Sequence, residues 1–215
     1  MSRRLLGPLA ALLAAGAFVV AVVTSAGGAA SQPPAGAQLA ADVSLARRLY
    51  LLEADGRTAR AAARQIVADG VLAAAARNGT LRHTAQHELS QPGLGLVRLG
   101  VSRGGHRLVD VGRRFVLTPV VQPLPRSRGA VVRTSVQDVD GYVALLHRLT
   151  GQAVVVRGVT GHEASFPLAL LHVPMPPRAG AVQVDGRLYA AQTFAERGWA
   201  GEPVRITVLV ATPRP

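Results

Sequence analysis

Three patterns of hydrophobic and polar positions follow one another along the chain. Residues 5–26 form an apolar run without a single charge. Between residues 45 and 70, apolar and small residues recur at steps of three and four, which is the spacing of one helix face. Beyond residue 94, short segments alternate between apolar and polar positions, as strands with one buried face do. The pattern predicts an α+β protein whose first third is helical.

The apolar run at 5–26 predicts a transmembrane helix, because about 20 apolar residues span the hydrocarbon core. Arg3 and Arg4 precede it, and basic residues on that side keep the N-terminus in the cytoplasm. A cleaved signal peptide is the alternative, although its apolar region usually has only about 7–15 residues. We therefore expect a single-pass protein of the cell membrane with its domain outside the cytoplasm, or a secreted protein if the segment is cleaved.

The helical region predicts a long, stalk-like helix that follows the membrane segment. Its stripe consists of residues at alternating steps of four and three: Leu45, Leu49, Leu52, Gly56, Ala59, Ala63, Ile66 and Gly70. Either glycine can bend the helix, because glycine is a poor helix former. Two shorter helices are predicted at 71–77 and 81–89. The expected division is a cytoplasmic N-terminus and membrane anchor at 1–30, a helical stalk with entry helices at 31–93, and a mainly β domain at 94–215.

The remaining chain predicts an antiparallel sheet with one packed helix. That helix covers 138–149 and begins at a capping-box-like Ser135 and Asp138. Asp185-Gly186 predicts a tight hairpin. In the last strand Val204, Ile206, Val208 and Val210 share one face. Strands are expected at 96–101, 107–111, 130–136, 153–157, 165–168, 182–184, 188–194 and 204–210, all in one sheet, and 119–128 is expected to be a loop.

The net charge of the chain does not change the predicted class of protein. The formal net charge is +12, every basic residue is an arginine, and aromatic residues make up 4% of the chain. A basic chain raises the question of nucleic-acid binding. The arginines are scattered, however, and an exported domain rarely meets nucleic acid. We expect a solvated basic surface that anionic lipid headgroups can attract.

No pattern of catalytic residues emerges. His83 and His87 are four residues apart, but Glu88 follows the second histidine, whereas the zinc-protease motif places its glutamate between the two. The chain has no lysine for a phosphate loop, and its serines lack a nucleophile-elbow context. We therefore expect a protein that is not an enzyme and that needs no cofactor or metal.

The order of elements resembles that of Cache domains, the PAS-like extracytoplasmic sensor modules of bacterial receptors. Three segments carry the resemblance: 129–158, 180–194 and 202–210. The chain is similar to actinobacterial receptors in which the Cache domain is followed by a second membrane helix, a HAMP domain and often a GGDEF output domain. The sequence ends at Pro215 without these parts, so we expect signalling to need more than this chain alone. The resemblance implies a PAS/Cache-like sheet and a ligand-sensing function that biases the membrane helix.

The resemblance also implies a small-molecule pocket against the sheet, near the central helix. The polar and aromatic residues expected to reach it are Arg133, Tyr142, Arg157 and Tyr189. Two arginines on neighbouring predicted strands can grip a carboxylate, so a small organic acid or amino acid is the expected ligand. A homodimer and a separate signalling protein are both open as partners. The alternative function is a non-sensing exported or membrane-anchored structural or interaction protein, with a degenerate or truncated Cache domain.

Overall fold

Two antiparallel sheets and five helices form the part of the chain that the structure describes, residues 34–159, 161 and 163–212 of a computed structural model. The helices are α1 (Ala35–Asp55), α2 (Arg57–Ala68), α3 (Val71–Asn78), α4 (Leu81–Leu89) and α5 (Val139–Thr150). The strands are β1 (Arg98–Arg103), β2 (His106–Gly112), β3 (Val120–Pro123), β4 (Ala130–Ser135), β5 (Ala153–Gly158), β6 (Glu163–Phe166), β7 (Ala179–Val184), β8 (Arg187–Arg197) and β9 (Pro203–Ala211). The fold class is therefore α+β, as predicted.

The predicted membrane segment at 5–26 lies outside the described residues. Within residues 34–212, no described helix is both long and apolar enough to span a membrane.

The prediction of a single sheet is wrong. Strands β2-β1-β4-β3 form one sheet, and strands β6-β5-β9-β8-β7 form a second. The difference arises at β3, which lies within the predicted loop at 119–128. It pairs with β4, placing Val121 opposite Arg133, so both edges of β4 are paired, one with β1 and the other with β3. Helix α5 then leads the chain into a separate sheet.

In the five-stranded sheet, β9 is the central strand and lies between β5 and β8. Residues Val204, Ile206, Val208 and Val210 of β9 pack in one core with α1 and α5, so their predicted shared face is confirmed. Thr207 and Leu209 on the other face of β9 are also buried. Both faces of this central strand are thus covered.

The four-stranded sheet is covered on one face by α2, α3 and α4. Leu99 and Val101 of β1 pack there against Leu72 of α3 and Val132 of β4. Because side chains alternate along a strand, Arg98, Gly100 and Ser102 point to the opposite face. That opposite face carries the candidate site.

The predicted long helix is broken at Gly56, as expected for one of its two glycines. A Cβ atom at this position would lie 2.1 Å from the backbone oxygen of Leu52, so only glycine permits the break. The predicted stripe holds in α2, where Ala59, Ala63 and Ile66 are buried. In α1 it holds only at Leu49, which is 8% exposed, and is wrong at Leu45 and Leu52, which are 39% and 60% exposed. The break changes the phase, so α1 buries a different face that includes Val43, Ala46 and Tyr50.

Two local predictions have clear outcomes. Helix α5 begins after Asp138, whose side chain accepts a hydrogen bond from the Gly141 N–H at 2.8 Å. Asp138 is therefore the N-cap, and the assignment of that role to Ser135 is wrong, since the Ser135 hydroxyl donates to the Gln137 carbonyl oxygen. The Asp185-Gly186 hairpin is confirmed, with positive φ angles of 48° and 73°.

Candidate functional site

A cleft of about 440 Å³ lies between the four-stranded sheet and the turn that joins β8 to β9. Gly100 of β1 is at its centre. In the two neighbouring strands, Asp110 of β2 and Arg133 of β4 are the residues directly opposite Gly100. Trp199 of the turn approaches from the other sheet. The polar and aromatic lining residues are Arg98, Ser102, Arg107, Asp110, Arg133 and Trp199.

Gly100 is the reason that Trp199 can lie so close to the sheet. A Cβ atom at position 100 would be 3.0 Å from Cζ2 of the Trp199 ring. Any side chain at this point would push the ring away. The indole is 7% exposed and forms one wall of the cleft.

Arg98 and Asp110 form the shortest ion pair of the cleft among the described residues. Nε and Nη2 of Arg98 donate to the two carboxylate oxygens of Asp110, each at 2.8 Å. The Arg98 guanidinium also lies 4.6 Å from the Trp199 ring centroid, in cation–π geometry. These contacts pair the positive charge of Arg98 with the negative charge of Asp110. They also fix the tryptophan ring against β1.

The other arginines give the cleft an excess of positive charge. Arg107 reaches Asp110 only at 3.7 Å, and its side chain is 77% exposed. Arg133 has a buried Nε without a hydrogen-bond partner among the described residues. A buried donor left unpaired costs free energy comparable to a lost hydrogen bond. Because this Nε is buried, an anion in the cleft reaches it only if the Arg133 side chain moves, and the guanidinium otherwise acts through its positive charge.

Helix α1 is bonded to the strand that leads into the Trp199 turn. The Tyr50 hydroxyl donates to the Arg197 carbonyl oxygen at 2.5 Å and accepts from the Thr118 N–H at 3.3 Å. Arg47, one turn earlier, pairs with Glu196 at 3.4 Å. Burial raises the pKa of the Tyr50 hydroxyl well above its usual range, so it stays a donor. Displacement of this turn would therefore act directly on α1.

The four residues predicted for the pocket do not come together. Only Arg133 lines the cleft. The prediction that Arg133 and Arg157 lie on neighbouring strands is wrong, because β4 and β5 belong to different sheets.

Tyr142 and Arg157 have structural partners elsewhere. Tyr142 is fully buried, and its hydroxyl donates to the Ala46 carbonyl oxygen at 2.8 Å. Its ring meets Tyr50 edge-on, with centroids 5.6 Å apart. Arg157 holds the segment after β6, with Nη2 donating to the carbonyl oxygens of Leu171 at 2.8 Å and Val173 at 2.7 Å.

Tyr189 is half-buried on β8, with the Arg187 guanidinium 5.6 Å from its ring centroid. It packs at the edge of a small core on the face of the five-stranded sheet that turns away from α1. Tyr189 does not line the cleft.

Sequence reasoning missed Arg98, Asp110 and Trp199. The alternation of β1 could have placed Arg98 beside Gly100 and Ser102 on one face. Nothing in the local pattern, however, brings Trp199 to that face from 99 residues further along the chain. Among the residues that the structure describes, no three or more His, Asp or Glu side chains come together in a group that could hold a metal ion.

No protein-family model matches the chain, and no curated protein matches it. Three solved structures similar to it are ligand-binding domains of bacterial chemoreceptors. The first is the domain of the Pseudomonas aeruginosa PAO1 amino acid chemoreceptor PctB with L-Arg, with 14% identity, coverage of 81% of this chain and 90% of that one, and a TM-score of 0.38.

The second is the domain of the Pseudomonas fluorescens chemoreceptor CtaA with L-isoleucine, with 12% identity, coverage of 83% and 89%, and a TM-score of 0.39. The third is the domain of the P. aeruginosa PAO1 amino acid chemoreceptor PctC with GABA, with 10% identity, coverage of 79% and 99%, and a TM-score of 0.39. All three are ligand-binding domains of receptors, the general class that the sequence resembles. At these values the similarity assigns neither a family nor a ligand to this chain.

Proposed function

We propose that the chain is an extracytoplasmic ligand-sensing module in which a small carboxylate binds the cleft beside Trp199. The observation that carries this proposal is the guanidinium of Arg133, which lines a cleft with excess positive charge and forms no ion pair with any residue that the structure describes. A guanidinium binds a carboxylate through two parallel hydrogen bonds. The indole of Trp199 adds a flat apolar wall that suits a small organic ligand.

The ligand class follows from which groups are already occupied. Asp110 is engaged by Arg98, so it offers little to a cationic ligand. Arg133 on the floor and Arg107 at the rim both favour a negative group. A small organic acid, including an amino acid bound through its carboxylate, fits this distribution of charge.

Transmission to the membrane would use α1. A ligand that contacts Trp199 changes the position of the β8–β9 turn only if it binds two arrangements of that turn unequally. The bonds from Tyr50 to Arg197 and from Arg47 to Glu196 connect the end of β8, next to this turn, to α1. A shift of α1 would then pass toward the apolar segment at 5–26, which we propose spans the membrane once with the domain outside the cytoplasm.

The topology has its own test. Protease added to intact cells should digest the domain and leave an N-terminal fragment in the membrane fraction. A mature protein that starts near residue 31 and is found only in the culture fluid would show cleavage instead.

A second candidate function is a non-sensing structural or interaction protein. It is favoured by the contacts of Arg98, which pairs with Asp110 and also lies over the ring of Trp199. These contacts can hold the two sheets together without any ligand. In that case no small carboxylate would bind, and the cleft would be an incompletely packed interface.

A thermal-shift screen of the purified full chain separates the two functions. Acetate, succinate, L-alanine and L-glutamate sample the carboxylate class. A ligand at 100 times its Kd stabilises the folded state by about 2.7 kcal/mol, which corresponds to roughly 5–10 °C for a domain of this size.

The Arg133→Ala variant should lose this shift. The control Arg205→Ala, which removes an exposed arginine of β9, should keep it. An undiminished shift in Arg133→Ala, or no shift with any carboxylate, would contradict the sensing proposal.

A further inference from the structure

An arginine-lined groove runs along the outer edge of β2. Strand β2 is at the edge of its sheet, and its outer side has no strand partner among residues 34–212 where they are described. The groove has a volume of about 580 Å³ and lies between this edge and α4. Gln86 and residues 108–112 form part of its lining. Five arginines complete it: Arg82, Arg98, Arg107, Arg113 and Arg114.

The positive charge of this groove is only partly compensated. Asp110 pairs with Arg98 and Arg107, and Asp138 pairs with Arg113 at 3.4 Å. The side chains of Arg82 and Arg114 form no ion pair with any residue that the structure describes. An occupant of the groove should therefore be anionic.

The backbone of β2 offers a second, independent feature. The Arg113 N–H donates to the Val97 carbonyl oxygen at 2.8 Å, so position 113 faces β1. Antiparallel strands alternate between residues that exchange bonds with one neighbour and residues that face away. Asp110 and Gly112 therefore direct their N–H and C=O groups toward the open edge. An added extended chain can pair with such an edge.

Together, the edge and the charge select one kind of occupant. A second copy of β2, paired antiparallel about Asp110, would place Arg107 opposite Arg113 and Asp110 opposite Asp110, and like charges opposite one another destabilise strand pairing. Lipid headgroups and polyphosphates can neutralise the arginines but offer no strand to complete the ladder. An acidic extended peptide satisfies both features. The register of β2 shifts at residue 108, so the regular edge covers residues 109–112, a paired length of roughly 14 Å.

We propose that the β2 edge binds an acidic, extended segment of a partner protein by strand addition. Glutamate or aspartate side chains of that segment pair with Arg82 on α4 and Arg114 beyond the end of β2. The groove adjoins the carboxylate cleft and shares Arg98, Arg107 and Asp110 with it, but Arg82 and Arg114 line the groove alone. Variants of these two arginines therefore test this proposal without changing a residue of the cleft.

The test uses the purified full chain and a fluorescein-labelled, acetylated nine-residue peptide that alternates glutamate and valine. Fluorescence anisotropy should show saturable binding that weakens as salt rises, because salt screens the arginines. The same peptide with alternate backbone nitrogens methylated keeps its charge but cannot form the ladder. We expect its affinity to fall at least about tenfold.

The Arg82→Ala/Arg114→Ala double variant should weaken peptide binding by about tenfold. Its matched control, Arg64→Ala/Arg148→Ala, removes the same charge from exposed positions of α2 and α5 and should change binding less than about twofold. If the first double variant fails to fold, the comparison of methylated and unmethylated peptides on the natural chain decides alone.

Three results would overturn the proposal. One is the absence of saturable binding by the acidic peptide. Another is equal affinity for the methylated peptide, which would show attraction by charge without strand pairing. The third is equal loss of binding in both double variants. Phosphatidylglycerol vesicles form a further arm, and binding to vesicles but not to peptide would assign the groove to a lipid surface and reject the proposal.

Discussion

The hydroxyl of Tyr50 and the carbonyl oxygen of Arg197 are joined by a hydrogen bond of 2.5 Å, although 147 positions of sequence separate the two residues. Tyr50 is a buried residue near the C-terminal end of α1, and Arg197 ends β8 two residues before Trp199. The same hydroxyl accepts from the Thr118 N–H, which precedes β3 of the other sheet. One side chain thus ties α1 to both sheets next to the cleft.

We predict that Tyr50→Phe destabilises the protein by about 1–3 kcal/mol, because the Arg197 carbonyl and the Thr118 N–H lose their partner in a largely buried place. Urea unfolding followed by circular dichroism measures this change. Tyr189→Phe is the control, since no described residue bonds to the Tyr189 hydroxyl, and it should change stability little. Equal effects of the two substitutions would contradict a stabilising contribution from the hydrogen bonds of the Tyr50 hydroxyl.

Stability should fall steeply above pH 10. Burial raises the pKa of both Tyr50 and Tyr142, so the folded state keeps the two protons that the unfolded state releases near pH 10. The sign follows from linkage: this contribution is complete below pH 10 and declines as pH rises, by about 2.7 kcal/mol per pH unit for both groups together.

The chain lacks lysine and cysteine, so few other groups titrate in that range. Urea midpoints measured from pH 8 to pH 11.5 give the slope. Tyr142→Phe should roughly halve it, and a slope that does not change in this variant would contradict the prediction.

Ile206→Asp should abolish cooperative unfolding. Ile206 is 0% exposed at the centre of β9, and an unpaired carboxylate there has neither water nor a cation to stabilise it. Arg205→Asp, at the neighbouring exposed position, is the matched control and should unfold cooperatively. A folded Ile206→Asp protein with a sharp thermal transition would contradict the assignment of β9 as the central strand.

Gly100→Ala should disturb the cleft without an added charge. The new methyl group would lie 3.0 Å from the Trp199 ring, which must move by a few tenths of an ångström or shift β1. We expect a red-shifted tryptophan emission and a loss of about 1–3 kcal/mol from overpacking. Gly93→Ala, where no atom lies within 4 Å of the added carbon, should leave the emission unchanged.

Local signals in the sequence predicted the elements that depend on local physics. The alternation of β9, the Asp185-Gly186 hairpin and the helix after Asp138 all follow from side-chain period, positive φ and capping. The edge strand β3 was missed because the prolines and arginines around Val121 are typical of loops. Without β3, the predicted fold had a single sheet, whereas the structure has two.

The candidate site depended on contacts that sequence pattern does not encode. Arg133 was predicted because the resemblance implied a pocket against the sheet and because its strand was expected to neighbour that of Arg157. Its true neighbours across Gly100 follow from the pairing of β1 with both β2 and β4. Trp199 reaches the cleft only because the two sheets meet at the β8–β9 turn. Tyr142 and Arg157 were expected to bind ligand, yet their hydrogen-bonding groups bond to backbone carbonyl oxygens.

The most direct test of ligand sensing is a fluorescence titration, since Trp199 is the single tryptophan of the chain and forms a wall of the cleft. The purified full chain is titrated with the small carboxylates of the thermal-shift screen. We predict a saturable change of tryptophan emission that is lost in Arg133→Ala and retained in Arg205→Ala. Emission that stays constant across all the carboxylates, or the same binding curve in Arg133→Ala, would contradict binding at this cleft.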